Sequence, residues 1–124
     1  MANTFLLWIG SLLPIIWGIA HLFPTGSVVG GFGPISADNR RIITMEWIAE
    51  GVALIFIGSV VLSATVIDRT SRVSVAVYWA SVVGLNALSV VSLFTGFRIR
   101  SLPFRLCPPI FTGSSILILW GLLL

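Results

Sequence analysis

The chain predicts an all-α fold: a polytopic membrane protein built as a four-transmembrane-helix bundle. Three observations carry that expectation. Apolar side chains make up 57% of the 124 residues and charged ones only 9%, against about a quarter charged in soluble domains. The apolar residues fall into four runs, at about 5–23, 42–66, 73–95 and 106–124, each near the ~20 residues that cross ~30 Å of hydrocarbon. None of the runs alternates with the two-residue period of a barrel strand. The helix is then the structure that satisfies every backbone group in lipid. The length suits one domain, residues 1–124.

The first run opens as MANTFLLWIG, with no Lys or Arg ahead of the apolar stretch, and so reads as a membrane helix rather than a cleaved signal. Gly10, Pro14, Trp17 and His21 recur at spacings of four, three and four, which forms one stripe along it. Pro14 offers no N–H to the carbonyl of Gly10, so a kink is expected there. If the stripe faces the second run, His21 meets Glu46 or Glu50. The connector that follows, PTGSVVGGFGPISADNRR, has Gly30, Gly31 and Gly33 for a turn, and Ser36 or Asp38 to cap the next helix. It lacks the lysine and spacing of a phosphate loop and reads as a surface loop folding over the bundle mouth.

The second run, IITMEWIAEGVALIFIGSVVLSATVI, carries Glu46 and Glu50 one helical turn apart on one side. A charged group costs roughly 2.5–3.5 kcal/mol at a bilayer centre, so such residues face inward, find partners and mark sites. In the third run Ala80, Gly84 and Ala87 form a small-residue face suited to close helix packing. Beside it, Asn86 and Ser89 make a polar strip suited to an interhelical hydrogen bond. The fourth run has Cys107 next to Pro108 and Pro109, a small apolar residue near a helix start. As the single cysteine it forms no intrachain disulfide. Trp8, Trp47, Trp79 and Trp120 fall near span ends, where interfacial anchors belong.

Alternating spans gather His21, Asp38, Arg40, Arg41, Glu46, Glu50, Arg98, Arg100 and Arg105 at one pole, and leave Asp68, Arg69 and Arg72 at the other. The arginine bias places the crowded pole in the cytoplasm, and the setting expected is a prokaryotic cytoplasmic membrane. Short basic connectors, rather than a basic face, argue against a nucleic-acid partner. The candidate ligand-binding residues are His21, Asp38, Asn39, Arg40, Arg41, Glu46, Glu50, Asn86 and Arg98. Among them His21, Glu46 and Glu50 are the candidates for catalysis. No metal is expected, because the Glu-x-x-His pairs of di-iron bundles are absent. Serine-hydrolase chemistry is disfavoured by the lack of a G-x-S-x-G motif.

GIAHLFPT at 18–25, followed by a glycine-bearing loop and EGVALIFIG at 50–58, resembles the DoxX-like family of small four-helix membrane proteins. The matching positions are Gly18, His21, Glu50, Gly51 and Gly58, and the resemblance covers about the first half of the chain. It implies a four-helix bundle and, for some members, association with quinone-linked sulfur oxidation or membrane redox complexes. Glu46 and the segment 38–41 lie outside that pattern.

Three functional readings follow. One is an accessory or ligand-binding subunit, whose polar pocket at one bundle mouth takes a quinone, a lipid or another small amphipathic molecule, and which sits in a homo-oligomer or a larger membrane complex. The second is a membrane enzyme or proton-coupled carrier in which His21 and Glu50 exchange a proton. In the third, the charges only stitch the helices together.

Overall fold

A computed structural model describes residues 3–124. The four predicted spans are four long helices, α1 (Thr4–Leu22), α3 (Ala37–Asp68), α4 (Arg72–Thr95) and α5 (Leu102–Leu123), joined by one short helix, α2 (Thr25–Gly30). Among the described residues there is no strand. All four long helices are long and apolar enough to cross a membrane, and the chain is an all-α membrane bundle.

Each helix start has a local cause. Asn3 accepts the N–H of Leu6, Ser36 that of Asn39 and Ser71 that of Ser74, which satisfies one orphan donor at each N-terminus. Ser36 starts α3 at Ala37, five residues ahead of the predicted 42. Its polar first turns, ADNRR, therefore continue the helix beyond the apolar run. Likewise α5 starts at Leu102 rather than 106, with Pro103 in its first turn, where a missing N–H costs nothing. The segment expected as a loop contains α2, with Val29 buried. One and a half turns are too short for a hydropathy pattern to reveal. Gly33, at φ 72°, then reverses the chain towards α3.

The long helices pack in a closed cycle of neighbours, α3 to α1, α1 to α5, α5 to α4 and α4 back to α3, the last seam being the sparsest. The α1–α3 seam is the tightest, because glycine removes the side chain between the two backbones. A Cβ placed on Gly18 would lie 2.7 Å from the Gly51 carbonyl oxygen, and one on Gly58 would lie 2.5 Å from Ile15 and collide with the Ser11 carbonyl. Such approaches supply the van der Waals contact that drives helix association in lipid. On the other side of α1, Gly10 lies against Ile118 of α5. Its carbonyl, which Pro14 cannot bond, accepts the Ser114 hydroxyl at 2.5 Å. A neighbouring helix thus satisfies the group that proline leaves free. Leu7, Leu54, Tyr78, Leu85, Phe111 and Ile118 fill the core, and the Tyr78 hydroxyl is paired with Thr65 at 3.1 Å.

Two packing expectations are corrected. Ala80 and Ala87 are exposed, and a Cβ on Gly84 would meet only Ile57, at 4.0 Å, so the small face of α4 is not a close seam. Tyr78, Val82 and Leu85 point inward instead, where the larger side chains make more van der Waals contact and the Tyr78 hydroxyl finds Thr65. Trp8, Trp79 and Trp120 are exposed on the outer faces, in keeping with anchoring. Trp47 is only 8% exposed and has a different role.

Candidate functional site

The end of α1 delivers His21 to the bundle interior, where its side chain is 3% exposed. One α-helical turn after Glu46, Glu50 reaches the same place from α3, its side chain 32% exposed, with Oε2 3.6 Å from Nε2 of His21. The imidazole is clamped. Trp47 stacks on it with ring centroids 3.8 Å apart and planes 16° from parallel, while the Trp47 indole N–H donates to the His21 carbonyl at 2.8 Å. That carbonyl belongs to the last turn of α1, where no helix N–H is left to bond it, so one tryptophan both caps α1 and fixes the ring. Phe104 of α5 packs against Trp47 with its ring tilted, at a centroid distance of 5.4 Å.

Cys107 of α5 completes the group. Donor atoms of His21, Glu50 and Cys107 all lie within 4.8 Å of one another. The Cys107 thiol donates to the Pro103 carbonyl at 3.4 Å, and the Trp17 indole lies beside its sulfur. Two buried polar atoms here have no hydrogen-bond partner: Nε2 of His21 and Nε1 of Trp17.

The cluster sits at the inner end of a cavity of about 560 Å³. Ala53 of α3 and Leu88 of α4 belong to its apolar wall, and Ile42, Val91 and Ile99 belong to its exposed rim. Its position follows from the topology. α3 and α4 are joined by a three-residue turn at the far pole and are the most loosely packed neighbours in the cycle. At this end they leave space between them.

The sequence-derived candidates separate into three groups. His21, Glu46 and Glu50 all line the cavity, Glu46 as an exposed residue. Asp38, Asn39, Arg40 and Arg41 are exposed in the first turns of α3, and Arg98 is exposed in the α4–α5 connector; none lies on the cavity wall. Asp38 pairs with Arg41 at 3.4 Å, and the two arginines border a shallow groove on the outer side of α3 with Met45 and Ile48. Asn86 also lies away from the cavity, donating to the Val82 carbonyl at 2.8 Å and to the Ser115 hydroxyl of α5 at 2.6 Å. Among the described residues no arginine lies within ion-pairing distance of Glu46 or Glu50, so arginine–glutamate bridges do not hold the helices together.

Sequence reasoning missed Trp47, Phe104 and Cys107. For Trp47 a signal existed, since it precedes Glu50 by three residues and shares its helix face. Cys107 had none, because only the packing of α5 on α1 brings it to His21.

Fold and site together define a small helical membrane bundle with a half-open cavity that ends in an imidazole, a carboxyl and a thiol. Comparison with protein-family models, curated proteins and solved structures finds no match to this chain.

Proposed function

We propose that the chain is a ligand-binding or accessory membrane protein that holds a small amphipathic molecule, such as a quinone or a lipid, in the α3–α4 cavity. The observation that carries this reading is the cavity's polarity gradient. A mouth between two membrane-spanning helices, apolar apart from Glu46, Ser92 and Thr95, leads inward to a fixed imidazole and a half-buried carboxyl. An amphipathic molecule entering from the bilayer would keep its hydrocarbon against Val91 and Leu88 while its polar head reached His21 and Glu50. Sites of this kind are mostly apolar, with a few convergent polar groups that set orientation. Glu50 would then be an intramembrane carboxylate. The DoxX-like resemblance of the first half, with Gly18, His21, Glu50, Gly51 and Gly58, agrees with a quinone-linked setting in a prokaryotic cytoplasmic membrane, alone or within a larger complex.

Trp47 provides the test, since it forms part of the cavity wall. Titrating detergent-solubilised protein with a short-chain benzoquinone should quench tryptophan fluorescence saturably. Glu50→Gln should weaken that binding about tenfold, the loss of roughly 1.4 kcal/mol, in a protein that stays folded. Identical saturable quenching in Glu50→Gln and wild type would contradict the assignment.

The 3.6 Å approach of His21 to Glu50 favours one alternative, a proton-coupled carrier or enzyme. That reading requires a pH-dependent activity abolished by either His21→Ala or Glu50→Gln. Transport or turnover indifferent to both substitutions would reject it.

A further inference from the structure

We propose that Nε2 of His21, a carboxylate oxygen of Glu50 and Sγ of Cys107 form a three-donor site for a borderline divalent transition-metal ion of the zinc class, with the fourth position facing the cavity. The proposal does not rest on amphipathic-ligand binding. It also departs from the expectation of no metal, because the packing of α5 brings Cys107 to His21 and Glu50 as a third donor.

Three separate helices, α1, α3 and α5, bring one donor each to a common point, with all donor atoms within 4.8 Å of one another. A tetrahedral zinc with bonds of ~2.0–2.3 Å separates its ligand atoms by roughly 3.3–3.6 Å. The His21–Glu50 separation is already 3.6 Å. Bringing donors as much as 4.8 Å apart to that spacing takes a shift of about 1 Å. At 3.6 Å the imidazole and carboxylate are within ion-pairing distance but beyond a hydrogen bond, which leaves Nε2 free to take a further partner.

The two orphaned atoms point the same way. His21 is 5% exposed and its Nε2 has no partner, although an unsatisfied buried polar atom costs about 1–3 kcal/mol. A metal ion at the common point would take the Nε2 lone pair. On binding, the Cys107 thiol would release its proton to solvent and become a thiolate. The Trp17 N–H beside that sulfur, buried with no other partner among the described residues, would then face a thiolate, a stronger acceptor than a thiol. Trp47 supplies the support a ligating histidine needs, stacking on the ring and bonding the His21 carbonyl through its indole N–H. One nitrogen, one sulfur and one oxygen suit zinc and its neighbours, rather than magnesium or calcium, which take oxygen shells. Three protein ligands with an open fourth position is the pattern of zinc sites that bind water or a substrate group.

The test uses the full chain, purified in detergent, stripped with a chelator and reloaded with Zn²⁺ or Co²⁺ alone. Wild type should retain one metal per chain after desalting, and the Co²⁺ form should show a thiolate-to-cobalt charge-transfer band in the near ultraviolet. Cys107→Ser and Glu50→Gln, both nearly isosteric, should bind Zn²⁺ at least about tenfold more weakly, and Cys107→Ser should lose the band. Asp68→Asn, at the far pole and away from the cavity, should behave as wild type. The proposal is overturned if wild type retains no stoichiometric metal. It is equally overturned if Cys107→Ser keeps the band, or if Asp68→Asn loses as much metal as Glu50→Gln. Circular dichroism confirms that each variant is folded before its metal content is read.

Discussion

The two seams of α3 differ more than their composition does. Against α1, Gly18, Gly51 and Gly58 bring the backbones into contact, and a single added Cβ finds no room. Against α4, the same helix meets Leu88 and Val91 at one end across a cavity of about 560 Å³, and even Gly84 has no close neighbour. Both seams are apolar, and lipid gives no hydrophobic reward for choosing one over the other. Residue size makes the difference. Where side chains vanish, helices lock, and where they are bulky and the connecting turn lies at the far pole, the helices leave a space. The tight seam holds His21 at a fixed height against α3. The loose seam leaves the cavity that the imidazole lines.

This contrast can be broken from either side, beginning with the largest effect. Gly58→Ala should cost roughly 1–3 kcal/mol of bundle stability, because the new methyl group meets Ile15 and the Ser11 carbonyl. Unfolding in mixed detergent micelles measures it, and an unchanged midpoint would mean that the seam is not tight. Trp47→Phe sits where the two seams meet. It keeps a ring on His21 but deletes the N–H that bonds the His21 carbonyl, and should cost about 1 kcal/mol in the same assay. The smallest effect belongs to the loose side, where Gly84→Ala should stay within about 0.5 kcal/mol of wild type. A large loss there would show that α4 packs more closely on α3 than this structure has it.

Much of the fold was legible because membrane helices announce themselves by length and hydropathy, and because Ser36 is a capping residue ahead of an apolar run. That His21 would meet a carboxyl of α3 was legible too, although the spacing left Glu46 and Glu50 equally open and only the structure selects Glu50. Helical spacing put each on the inward side of its own span, and alternating spans put both at one pole. The tight seam was harder to read. Gly51 and Gly58 on α3 and Ala80, Gly84 and Ala87 on α4 are equally small, and only the burial of Tyr78 and Leu85 decides that the second set faces outward. Arg40, Arg41 and Arg98 misled for a related reason, since sharing a pole with the carboxyls does not bring a side chain into the cavity. Asn86 follows local rules, but its partner, Ser115, depends on how α5 docks. Cys107 shares that dependence, which is why the cluster's third member emerges only in three dimensions.

The central claim is that the loose seam is the entrance to an occupied site. Native mass spectrometry of gently extracted protein tests it most directly, with wild type set beside Val91→Trp, which enlarges a side chain at the cavity rim and leaves His21 and Glu50 in the sequence. The expected result is a small-molecule adduct on wild type, reduced about tenfold or more in Val91→Trp, a loss of at least ~1.4 kcal/mol of binding. The same adduct at the same occupancy in both proteins, or none on wild type, would contradict it.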